Sequence, residues 1–128
     1  MATVSLRGEL PKPWGTNEWA WRQAIANAVQ AQLKGAEEYS LPDDSYFEVT
    51  ITFYLPRSTF AQTDLDNLAK PVLDTLFHAK YPQAKIKGVT GTLLRDVDDG
   101  RVVSLFLKKQ LVESEEQAGV DISVQRAV

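Results

Sequence analysis

Phe47-Glu48-Val49-Thr50-Ile51-Thr52-Phe53-Tyr54-Leu55 puts an apolar side chain at every second position. A period of two over this length, in β-branched and aromatic residues, specifies a half-buried strand. Its apolar face must be covered by something else in the chain. Two segments have helical spacing. The first runs from near Glu18 with Trp19, Trp21, Ile25, Ala28, Val29 and Leu33, is capped by Thr16 or Asn17, and stops at Lys34-Gly35. The second follows Thr63 as cap and carries Leu65, Leu68, Val72, Leu73, Leu76 and Phe77. Pro71 lies inside it, where a proline removes a donor and clashes with the preceding turn. The reading here is an irregular first turn or a regular helix starting close to Pro71.

Further alternation marks strands at Val4 to Leu10, Val102 to Leu107 (ending at Lys108-Lys109) and Val120 to Val124. Arg57 to Gln62 and His78 to Gly91 read as loops. One helical segment lies between the two best strands. The expected architecture is therefore α+β: a small mixed sheet with two main helices packed on one face, in a single domain over residues 1–128. There are 128 residues, enough for one core without staples.

Cysteine is missing, which removes disulfides and thiolate metal sites and suits a reducing, cytoplasmic setting. No apolar run approaches the roughly 18 residues of a membrane span, so no membrane partner is expected. Met1 to Ser5 lacks the charged and apolar regions of a signal peptide. Net charge is −3, which taken whole argues against a nucleic-acid partner. Its distribution argues differently. Residues 57–110 hold 9 basic and 6 acidic side chains, while the flanking segments are each net acidic. All six acids fall in two clusters; with those occupied by a cation, the segment becomes a basic surface for phosphates.

The first cluster is Asp64-Leu65-Asp66-Asn67-Leu68-Ala69-Lys70-Pro71-Val72-Leu73-Asp74, the second Asp96-Val97-Asp98-Asp99. On a helix Asp66, Lys70 and Asp74 share a face at i, i+4 and i+8, opposite the leucines. By spacing alone this is also an ordinary surface ion-pair ladder, and Asp98-Asp99-Gly100 an ordinary turn before a strand. If the helix start and the loop before Val102 converge, Asp64, Asp66 and Asp99 form one acidic pocket, whose mutual repulsion recruits Mg²⁺ or Mn²⁺. The remaining candidates are weaker. His78 has no zinc-like partners. Trp14, Trp19 and Trp21 read as core or interface residues rather than base-stacking platforms. No glycine-rich phosphate loop is present.

At Asp64-x-Asp66-Asn67-x-x-Lys70-x-x-x-Asp74 and Asp98-Asp99 the chain resembles the RusA-type Holliday junction resolvases, small homodimeric Mg²⁺-dependent endonucleases of bacteria and their phages. The likeness extends to the Phe47–Pro56 strand, the Trp19-Ala20-Trp21-Arg22 helix, the strand from Val102 with Lys109 beyond it, and the closing Gly119–Val124 strand. It implies a RusA-like fold and paired symmetric nicks in four-way junction DNA, leaving 5′-phosphate and 3′-hydroxyl ends, in recombination and repair. Asp64, Asp66 and Asp99 would be the metal-binding catalytic carboxylates and Lys70 the catalytic lysine, with Asn67, Asp74 and Asp98 supporting. Asp96 rivals Asp98 and Asp99 as the aligned acid; the spacing to Lys109 favours Asp99. The chain departs from the family in two places. Arg57 to Thr63 holds a single arginine where a basic run is usual. The Phe77–Asp98 link is long and brings Lys80, Lys85, Lys87 and Arg95, which with Arg101 and Lys109 would grip phosphates. The alternative is a catalytically inactive branched-DNA-binding module of the same fold.

Overall fold

The alternating segment becomes β2 (Phe47–Pro56), an inner strand whose Phe47, Val49, Ile51, Phe53 and Leu55 side chains are all buried. The computed structural model describes residues 2–33, 45–78 and 89–127, except the side chains of Arg95 and Asp96. In chain order the other elements are β1 (Ala2–Arg7), α1 (Trp19–Gln32), the single turn α2 (Arg57–Phe60), α3 (Leu65–Leu76), β3 (Phe77–His78), β4 (Leu94–Asp98), β5 (Val102–Val112) and β6 (Gly119–Arg126). Among the described residues the result is a mixed α+β fold with a four-stranded sheet and three α-helices.

The sheet order is β1-β6-β2-β5. β6 is antiparallel to both β1 and β2, whereas β2 and β5 are parallel. Parallel neighbours need a crossover connection. Here it contains α2, α3 and the small β3–β4 pair, and hence both acidic clusters. One face of the sheet is dry: Val4, Val49, Ile51, Phe53, Val120, Ile122 and Val124 pack with Ile25 and Val29 of α1 and with Leu68, Val72 and Leu76 of α3. Each fully buried side chain of this size contributes about 1.5–3 kcal/mol relative to exposure.

The opposite face is polar, and its best-defined feature is a network on Asp121. Arg7 donates to both carboxylate oxygens at 3.0 and 3.1 Å, and the hydroxyls of Ser5 and Tyr54 donate at 2.6 Å each. These residues lie on β1, β6 and β2, so one carboxylate links three strands.

Several boundaries differ from the sequence reading. β1 starts two residues earlier than Val4 and ends before Gly8, whose φ of +84° turns the chain away. The residue before α1 is Glu18, not Thr16 or Asn17, and the Thr16 hydroxyl donates instead to the Pro13 carbonyl at 2.7 Å. β5 does not stop at Lys108-Lys109; its ladder with β2 continues to Val112. The short helix α2 replaces part of the expected Arg57–Gln62 loop, and β3 takes Phe77 from the expected helix and His78 from the expected loop. At Gly119 the backbones of β1 and β6 approach so closely that a Cβ would lie 1.9 Å from the Leu6 carbonyl oxygen.

Burial alone would raise the Asp121 carboxyl, but the hydrogen bonds from Arg7, Ser5 and Tyr54 outweigh it and hold its pKa at about 2. A depressed carboxylate pKa stabilises the fold above the unfolded-state value and loses that contribution as pH falls through the folded value. Asp121→Asn should therefore be less stable than wild type at pH 7, by about 1 kcal/mol once solvent screening is allowed for. The difference should shrink below about pH 4 and vanish near pH 2. Urea unfolding of both proteins across this range measures it; a gap independent of pH would refute the assignment.

Candidate functional site

α3 carries the first acidic cluster, and it runs unbroken from Leu65 to Leu76 through Pro71. Neither sequence reading of the proline holds. Pro71 has no N–H to offer the carbonyl four residues back, that of Asn67. The Trp14 N–H donates to that carbonyl instead, at 2.8 Å. The vacancy left by the proline is thus filled from the loop ahead of α1, which fastens that loop to the first turns of α3.

The cap of α3 is Asp64 rather than Thr63, whose hydroxyl donates to the Thr59 carbonyl at 2.8 Å. Asp64 has the extended backbone of an N-cap but its side chain makes no capping hydrogen bond. Asp at this position normally accepts from the helix amides, so this carboxylate remains available to another ligand. Asp66 and Asn67 are exposed on the first turn. The segment delivering Asp64 is held from β5: Lys109 Nζ donates to the Phe60 and Thr63 carbonyls at 2.7 and 3.0 Å and lies 5.0 Å from the centre of the Phe60 ring. A phosphate reaching Lys109 would have to share an ammonium already committed to two carbonyls.

Lys70 and Asp74 follow Asp66 along the same helix face. Lys70 Nζ stands 3.6 Å from Asp74 Oδ2; the lysine side chain is 35% exposed and the aspartate only 4%. Burial pushes the Asp74 carboxyl up, the charges of Lys70 and Arg22 pull it down, and Asp99 adds to the rise. Asp99 opens the 3₁₀ turn Asp99–Arg101, while Asp98 is used structurally, accepting from the Gly100 N–H at 2.6 Å. Arg101 lies against an aromatic ring, 5.2 Å from the centre of Tyr46.

Asp64, Asp66 and Asp99 do not meet as one pocket: among the described residues no three acidic or histidine side chains form a group that could hold a metal ion. The reason is topological. β5 pairs with β2 from the Phe47–Val102 end, so the crossover leaves past Pro56 and must return to Phe47. α3 makes this return. Its start is tied to Lys109, which pairs with Phe53, while Phe77 at its end packs on Phe47 with ring centres 5.9 Å apart. Asp66 and Asp74 are then about 12 Å apart along the axis, and it is Asp74 that feels Asp99. Of the basic residues expected to grip phosphates, Lys80, Lys85 and Lys87 lie outside the described residues, as do the side chains of Arg95 and of the rival acid Asp96.

Sequence reasoning missed a buried charge cluster behind the helix. Arg22 is fully buried; its Nε donates to Thr75 Oγ1 at 3.0 Å, a second N–H to the Val89 carbonyl, and its third nitrogen lies 3.8 Å from Glu18 Oε1. Thr75 Oγ1 donates in turn to the Pro71 carbonyl at 2.7 Å. Desolvation lowers the Arg22 pKa, and the charges of Asp74 and Glu18 oppose that. The signal was present as Glu18 and Arg22 at i, i+4 on the apolar side of α1, next to Trp21 and Ile25.

No family model and no curated protein sequence matches the chain. None of the helices among the described residues is long and apolar enough to cross a membrane.

Removing one partner of a buried ion pair strands the others and costs about 3–5 kcal/mol. Arg22→Met should lose about 3 kcal/mol or more in urea unfolding. Adding Asp74→Asn to it should recover part of that loss, since the stranded carboxylate is then gone. Recovery of nothing would mean that Arg22 does not neutralise Asp74.

Proposed function

We propose that this chain is a metal-dependent endodeoxyribonuclease that, as a homodimer, resolves four-way DNA junctions by paired nicks. The observation that carries this reading is Lys70, one turn past exposed Asp66, held 3.6 Å from a carboxylate that is 4% exposed. A surface ion-pair ladder does not place an acid in the core, whereas a buried carboxylate holds the ammonium it pairs with in one place. The availability of Asp64 at its cap position supports the same reading.

The donor set suits a hard cation. It consists of carboxylate oxygens, two of them on the exposed start of α3. Mg²⁺ is commonly bound through one or two carboxylates, with substrate phosphate oxygens and waters completing the shell, rather than in an all-protein cage. Asp64 and Asp66, both on the exposed start of α3, would hold it. When bound, it supplies a water acidified for attack and charge neutralisation at the phosphate. Lys70 donates to the oxygen on which negative charge develops. Asp74 aims that ammonium, and the charge of Arg22 opposes the rise that burial imposes on the Asp74 carboxyl. Pairing of two copies about a two-fold axis matches the two cuts that a symmetric junction requires.

Wild type and Asp66→Asn should be incubated with a labelled four-way junction and a matched linear duplex, in Mg²⁺ or EDTA. The expected outcome is paired nicks in the junction alone, dependent on metal and reduced at least about 100-fold in the variant, which should still bind the junction. Junction binding without nicks would assign a binding module instead. Neither binding nor cutting would return the acids to ordinary helix-surface chemistry.

A further inference from the structure

Three exposed features lie outside the chemistry above: the open polar face of the sheet, the apolar side chains along β5, and the loop that carries Trp14. The loop is the one built onto the site. Its backbone is fixed at successive points. The Trp14 N–H fills the carbonyl vacated by Pro71 in α3. The Gly15 N–H donates to Glu18 Oε2 at 3.2 Å, and the Thr16 hydroxyl closes the turn on Pro13. Gly15 has a φ of +89°, a conformation costly for any other residue. Pro11 is buried, and Pro13 stiffens the approach.

A loop fastened this firmly nevertheless leaves its tryptophan side chain 53% exposed. Apolar burial therefore does not account for the indole. Its backbone N–H is hydrogen-bonded to the carbonyl of Asn67, the residue after Asp66, so the loop that carries the indole is anchored on the first turns of the acidic helix. Glu18, which holds Gly15, also pairs with Arg22, so the loop and the lysine site share one buried support.

We propose that Trp14 is a stacking platform for a nucleobase that is unstacked at the branch of a DNA junction, on the strand whose phosphate the cation at Asp64 and Asp66 would hold. This inference rests on the nuclease reading and extends it to the choice of substrate. Every base has a π-face, so the contact is indifferent to sequence, but a continuous duplex offers no exposed face to it. Pre-fixing the ring means that little order is lost on contact. Lys12, exposed two residues earlier, provides a cation for the adjoining backbone.

The test uses the intact chain with Ca²⁺ in place of Mg²⁺, and strand integrity is checked on denaturing gels. Anisotropy titrations compare a four-way junction carrying 2-aminopurine at its branch with a linear duplex. Trp14→Ala should bind the junction about tenfold more weakly and the duplex unchanged, and the 2-aminopurine signal change should disappear. Trp14→Phe should restore binding and signal, whereas Trp14→Leu, which keeps apolar bulk without a ring, should not. These two variants decide the matter even if alanine disturbs the loop. Wild-type affinity of Trp14→Ala and Trp14→Leu for the junction would overturn the platform while leaving the nuclease reading intact. A shift of Trp14→Leu to a smaller species in sedimentation, with its DNA contacts otherwise normal, would make the ring a protein interface and also overturn it. A wild type that does not distinguish junction from duplex would overturn the nuclease reading and the platform together.

Discussion

One hydrogen bond, from the Trp14 N–H to the Asn67 carbonyl, joins the loop ahead of α1 to the acidic helix. Pro71 denies that carbonyl an intrahelical donor, and the loop supplies one. Because the donor comes from the loop before α1, the same bond sets the separation of α1 from α3 at one end. Arg22 sets it at the other, reaching from α1 to Thr75 on α3. Two polar fasteners in an otherwise apolar helix contact fix rotation as well as distance, which apolar packing alone does weakly. That rotation determines which side of α3 faces outward, and so where Asp66 and Lys70 stand.

The sheet places the second cluster. The parallel β2–β5 pair forces the chain to return along the length of β2, and α3 is the return path. Acids at the start of the crossover are therefore separated from those at its end by the helix itself. Lys109 and the Phe47–Phe77 contact hold the two ends apart, one at each end of β2. Asp74 bridges the gap electrostatically, feeling both Lys70 on its own helix and Asp99 across from it.

What could be read from sequence follows the range of the interaction involved. β2 and α1 were legible because burial imposes a local period on them, and Asp66, Lys70 and Asp74 on one face follow from helical geometry alone. The continuity of α3 was not legible, since the local rules for proline count the lost donor without knowing of a distant replacement. β5 was read short: adjacent Leu105 and Phe106 break the alternation, and Lys108-Lys109 imitate a strand end, although Lys109 is turned back onto Phe60 and Thr63. The convergence of Asp64, Asp66 and Asp99 was a guess about tertiary placement. Among the described residues no such group forms, and it is the Asp74 carboxyl that feels the charge of Asp99. Burial of Asp74 was invisible for the same reason, because part of the charge that offsets it, that of Arg22, comes from α1.

That charge explains why a fold this small keeps an arginine in its core. Replacing a buried ionic cluster with apolar residues of equal volume is often neutral or stabilising, so stability alone does not account for Glu18, Arg22 and Asp74 together. Their arrangement is directional. Gly15 is bonded to Glu18, Glu18 faces Arg22, Arg22 acts on Asp74, and Asp74 holds Lys70. An aromatic loop on one side of α3 and a lysine on its outer face are thus referenced to one buried cation. Apolar packing alone would tolerate slips between them more readily than this chain of one hydrogen bond, two ion pairs and a charge interaction. On the proposed reading, a phosphate held at Lys70 and a base held at Trp14 would belong to one DNA strand, whose covalent backbone bounds their spacing. A support that limits the spacing of loop and lysine to a similar range would engage both at once.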